Sequence, residues 1–175
     1  MINNDANEAY RNQVKANYEF SSWAGHTKEG DRDVRITGFR IGAEEVKGWR
    51  LEESEELPSV REQRVLRYIY SSDEAGPRRL LLTTFECNSV LDAHESLIDV
   101  VMTYMAPTLP RCESRELQIG DMCFGSHGEL NLSLIFARFN ILAEIKNAGT
   151  EPTSVDEFAR SVDSLIYNRY VTRRQ

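Results

Sequence analysis

The segment Gly120-Asp121-Met122-Cys123-Phe124-Gly125-Ser126-His127-Gly128-Glu129 gathers a thiol, an imidazole, a hydroxyl and two carboxylates. A cysteine close to a histidine is material for nucleophilic catalysis: the imidazole takes the thiol proton, and a carboxylate orients the imidazole. On that reading Cys123 attacks, His127 is its base, and Asp121 or Glu129 is the orienting group, which defines a small hydrolase or transferase. Two features weigh against it. Catalytic partners ordinarily meet from distant parts of a chain, and Gly-Ser-His-Gly-Glu has the composition of a turn between two strands. Strand alternation also puts Asp121 and Cys123 on one face and leaves His127 in the turn. The four residues are therefore weak candidates, and no catalytic residue is assigned.

Other chemistries are less well supplied. His26, His94 and His127 are widely spaced and form neither HxH nor HExxH, so no metal site is expected. Cys87, Cys112 and Cys123 contain no CxxC pair; one disulfide plus a free thiol, or small buried hydrophobes, are both consistent with them. Cys87 lies in a strand-like run and is expected in the core. Neither predicted helix start, Cys87-Asn88-Ser89 or Glu151-Pro152-Thr153-Ser154, has the glycine-rich loop that cradles phosphate, so no nucleotide or other cofactor is expected. Tyr68 and Tyr70 share one strand face and, with Trp49, are the candidates for lining a ligand groove. Aromatic residues on strands more often pack against a core or across strands.

The elements that would position these residues follow from periodicity. Val34–Ile41 alternates like a half-buried strand, and a weak second strand is predicted around Trp49–Leu51. The glutamate-rich stretch from Glu44 to Glu62, broken by Pro58, reads as a solvated face or loop. Val65–Tyr70 and Arg79–Glu86 are predicted strands joined through the turn-forming residues Ser71–Pro77. From Leu91 to Met105 apolar residues recur every three or four positions, which predicts a helix capped by Asn88 or Ser89 and stopped by Pro107. Arg111–Leu117, Asp121–Gly125, Leu130–Arg138 and Ile141–Lys146 are predicted strands, the last two joined near Phe139-Asn140. Ser154-Val155-Asp156-Glu157 fits a capping box, and the helix it opens turns Val155, Phe158, Ala159, Val162, Leu165 and Ile166 inward. Its opposite face, with Asp156, Arg160, Asp163 and Ser164, is expected to meet water.

The expected fold is α+β: an antiparallel sheet from two βββα-type halves, residues 34–107 and 111–172, with two main helices packed on one face. Residues 1–25 form an N-terminal segment, predicted to hold a short helix and to pack across a single α+β domain spanning 26–175.

Composition narrows the partners. The chain has 28 acidic and 21 basic residues, net charge -7, which disfavours nucleic acid because phosphate must be neutralised by a basic surface. No apolar stretch approaches the length of a membrane span. The polar start Met1-Ile2-Asn3-Asn4-Asp5 lacks a signal-peptide pattern, leaving a cytoplasmic or a mature extracytoplasmic location.

Gly120-Asp121, Phe136, Arg138, Asn140, Ile145, Phe158-Ala159 and Asp163 together resemble a segment that recurs in bacterial and archaeal domains of no settled activity. Such domains are often extracytoplasmic and non-catalytic, so the resemblance implies a binding or accessory role. The leading expectation is a non-enzymatic protein that recognises a protein or small ligand through a sheet face or groove, with homo-oligomerisation left open.

Overall fold

In a computed structural model, residues 4–25, 35–72, 77–103 and 117–173 are described. The strands are β1 (Trp49–Val60), β2 (Gln63–Ser72), β3 (Arg79–Glu86), β4 (Met122–Gly125), β5 (Ser133–Arg138) and β6 (Ile141–Asn147). The helices are α1 (Asn4–Asn17), α2 (Val90–Thr103) and α3 (Asp156–Arg173), with a 3-10 turn over Phe20–Ser22. All six strands join one antiparallel sheet in the order β1-β2-β3-β6-β5-β4, so β3 and β6 lie at its centre. The α+β class and the antiparallel sheet are as expected. Two three-stranded meanders, each followed by a helix, meet along β3 and β6.

The parity of side chains along each strand decides what each face touches. Leu134 and Phe136 of β5, Ile141, Ala143 and Ile145 of β6, and Tyr68, Tyr70, Leu80 and Leu82 cluster with Val155, Phe158, Ala159, Val162 and Ile166 around α3. The alternate residues Ile135, Ala137 and Leu142, with Met122 and Phe124, cluster instead with Ala93, Leu97, Ile98 and Val101 of α2. Val14, Tyr18, Phe20 and Trp23 of the N-terminal segment join this second cluster. The two main helices are therefore divided between the faces, one on each, rather than sharing one. The connections account for this: Cys87 turns straight under the sheet into α2, whereas the chain after β6 runs through residues 148–155 before α3 begins.

Several local predictions change. The acidic stretch is strand: β1 continues through Pro58 to Val60, because its glutamates face arginines on neighbouring strands. Glu55 pairs with Arg67, Glu56 with Arg64 at 2.9 Å, and Glu52 with Arg79 at 2.9 Å. The turn to β2 is Arg61-Glu62, both left-handed with φ of 51° and 65°. Residues 35–41, by contrast, form no strand. Gly38 has φ of 67°, and side chains rather than a neighbouring strand serve this backbone. Ile36 N donates to Asn140 Oδ1 at 2.7 Å, Phe39 N to Glu86 Oε2 at 3.1 Å, and Ile41 N to the Tyr68 hydroxyl at 3.3 Å. Val34, most of the predicted strand at 111–117, and the turn residues 73–76 lie outside the described residues.

The start of α2 behaves as capping chemistry requires, whereas the capping box expected at Ser154–Glu157 does not close. Ser89 Oγ accepts the Asp92 N–H at 3.0 Å and Asp92 returns the bond to Asn88 N at 2.9 Å. At α3, Ser154 Oγ accepts from Asp156 N at 3.3 Å, while the Glu157 carboxylate takes Arg160 one turn on. Asp163, predicted to face water, is buried.

Candidate functional site

One end of the sheet carries a buried ionic cluster drawn from four elements. Gly120 has φ of 68°, and a Cβ there would stand 2.4 Å from the Ala137 carbonyl, so only glycine lets the chain pass this close to β5. That approach, sealed by Asp121 N donating to Ala137 O at 2.6 Å, sets the Asp121 carboxylate at the β5–β6 turn. Its Oδ2 accepts from Phe139 N at 2.7 Å and its Oδ1 from Arg138 at 3.3 Å. Arg138 also makes a two-pronged bond to Asp163 of α3, at 2.7 and 2.8 Å. That fork, with Asp121 beside it, raises the Arg138 pKa above its ordinary value despite partial burial. From α2, the fully buried His94 brings Nε2 to 3.7 Å from Asp121 Oδ2, with Trp23 and Phe20 edge-on to its ring at 5.4 and 6.3 Å.

The cluster thus spans the sheet, linking α2 on one face to α3 on the other. Asn140 stitches the same corner: its amide donates to the carbonyls of Ile36 and Cys87, each at 2.9 Å. The geometry here is charge pairing, one guanidinium shared by two carboxylates. Both carboxylates meet the Arg138 guanidinium, and the imidazole is fully buried.

The four residues considered for nucleophilic catalysis take separate roles. Cys123 is buried on the α3 face and disulfide-bonded, so it offers no thiolate. Asp121 belongs to the ionic cluster. His127 and Glu129 are exposed in the loop between β4 and β5, whose shape is held by Ser126 Oγ accepting from Leu132 N at 3.0 Å. Cys87 is free and buried, with its thiol pushed up to about 12 by burial. His26, Tyr104 and Cys112 lie outside the described residues. The aromatic candidates are core residues. Tyr70 is fully buried with its ring 5.0 Å from Phe158, Tyr68 is buried beside it, and the half-buried Trp49 meets Phe158 edge-on at 5.6 Å.

A concave, solvent-accessible feature lies between the irregular segment 36–40 and the last turns of α3. This groove of about 300 Å³ is lined by Ile36, Thr37, Gly38, Phe39, Arg40, Arg169 and Thr172. Ile36 and Phe39 form an apolar floor, and both arginines are exposed. A Cβ on Gly38 would meet nothing within 4 Å, so the backbone itself is open to the groove. Sequence reading did not single out these residues, because Arg40 and Arg169 are far apart in the chain and each resembles ordinary surface charge. The one local signal was the glycine interrupting the alternation at 36–41.

Comparison with protein-family models, with curated proteins and with solved structures finds no match.

Proposed function

We propose that this is a non-enzymatic binding protein that takes a small ligand in the groove between residues 36–40 and the end of α3. The observation that supports it is the groove itself: its volume suits a small molecule, and it combines an apolar floor with a few polar groups at the rim. The segment forming one wall is held by side-chain bonds from Asn140, Glu86 and Tyr68, so the wall is set before any ligand arrives. The rival Cys/His chemistry has lost its thiolate to the disulfide.

The test is an amide NMR screen of small soluble fragments against the whole chain. Binders should move the resonances of Thr37–Arg40 and Arg169–Thr172 together, and Thr172→Trp, which fills the groove from an exposed helix position, should abolish those shifts without unfolding the protein. Binding that maps elsewhere, or that survives the tryptophan, would refute the groove.

A further inference from the structure

Resting on that groove reading, the structure assigns its ligand to a chemical class: a small molecule bearing a carboxylate or phosphate, clasped between Arg40 and Arg169. Arg40, from the irregular segment, and Arg169, from α3, both line the groove. Thr37 and Thr172 belong to the same lining, the Thr172 hydroxyl donating to Asn168 O at 2.9 Å. In a chain of net charge -7, one concavity is thus lined by two arginines, each paired at an exposed position with a glutamate.

Each arginine carries five N–H donors in a planar fork. Arg40 spends an Nη2 bond of 2.9 Å on Glu56, and Arg169 an Nη2 bond of 2.8 Å on Glu45. Neither carboxylate belongs wholly to its arginine. Glu56 is gripped by Arg64 through two bonds of 2.9 and 3.0 Å, and Glu45 also accepts from Gly42 N at 2.6 Å. The side chains of Arg40, Glu56 and Arg169 are about half exposed, so these pairs sit in water and are worth little. An incoming anion that offers two oxygens can take the remaining prongs of both forks without breaking the Arg64–Glu56 clasp. Anions bound by paired guanidinium forks make shorter, stronger bonds than neutral acceptors do.

The experiment titrates the intact protein with benzoate, phenyl phosphate and the neutral isostere benzamide, following groove amides by NMR. Benzoate and phenyl phosphate should bind at least about tenfold more tightly than benzamide, with Arg40→Gln and Arg169→Gln each weakening them about tenfold. Glu45→Gln, which keeps an acceptor for Gly42 N but releases Arg169, should tighten both anions, a gain that damage to the fold cannot imitate. Arg160→Gln, on an outward turn of α3, should change nothing. Benzamide binding the groove as well as benzoate would overturn the anion assignment and leave the groove standing. If no probe moves a groove amide, the groove reading falls and the assignment with it.

Discussion

Asp121 illustrates what one side chain does at the corner of this sheet. It accepts the Phe139 N–H at a left-handed turn residue, shares Arg138 with Asp163, and approaches His94. Asp121→Ala strands a half-buried amide and one arm of a half-buried guanidinium, and should cost about 2 kcal/mol in urea unfolding. Gly120→Ala should cost about 2 kcal/mol or more, since the added methyl meets a backbone carbonyl at a left-handed φ. The catalytic reading set Asp121 among its near neighbours Cys123, His127 and Glu129, whereas the resemblance grouped it with Arg138 and Asp163, which the structure brings together. Its partners come from the end of β5 and from α2, with α3 reached through Arg138, and no local spacing announces them. Cys87 was correctly expected in the core. Its thiol is raised to about 12, mainly by burial, whereas an unfolded cysteine titrates near about 8.5. The native state therefore holds this proton where the unfolded chain has lost it. The resulting stability is complete below the unfolded value and declines as pH climbs from there toward about 12. Cys87→Ala should flatten the alkaline limb of a stability-against-pH curve.

At the scale of elements, α1 is a polar helix held by two different kinds of contact. Arg11 bonds Glu95 and Asp99, and Lys15 bonds Glu95 at 2.6 Å, at positions partly open to water. Val14, Tyr18 and Trp23 are buried against the α2 face, and the Trp23 indole donates to Tyr18 O at 2.8 Å. Burial should dominate. Trp23→Ala is expected to cost about 3 kcal/mol, and Lys15→Ala about 0.5 kcal/mol, with only the second loss shrinking as salt is raised. The strands β2, β3, β5 and β6 and both main helices could be read from apolar spacing. The first hairpin could not: Arg61-Glu62 lacks the glycine or asparagine that marks such turns, and a glutamate run resembles a solvated loop until its arginine partners across the sheet are known. The stretch 36–41 misled in the opposite sense. Its apolar alternation is real, but it packs Ile36, Phe39 and Ile41 onto the core without pairing to a strand.

Taken whole, the molecule has two cores separated by one sheet and bolted together at the Asp121 corner. The two tryptophans report on them separately: Trp23 lies in the α1–α2 core, and Trp49 packs on Phe158 in the α3 core. Both cores share β5 and β6, so they should melt as one. Urea curves of Trp23→Phe and Trp49→Phe, each corrected for its own midpoint shift, should match the far-ultraviolet transition with a single slope. A face that lost fluorescence early would show the cores to be separable. Composition and periodicity led correctly to the α+β class and the antiparallel sheet. They carried no information on which side each helix would cross, because that depends on the path taken by a few connecting residues.

The crossing of the helices has a bearing on ancestry. A half-turn about an axis normal to the sheet, passing between β3 and β6, lays β1-β2-β3 over β4-β5-β6 with every strand running correctly. The same rotation cannot bring α2 onto α3, because it never exchanges the faces. A primitive dimer of one βββα piece, paired edge to edge about that axis, would have covered one side twice and left the other bare. Had this chain descended from such a fused pair, one helix would have had to migrate around the sheet afterwards, with the eight residues Ala148–Val155 as the tether of α3.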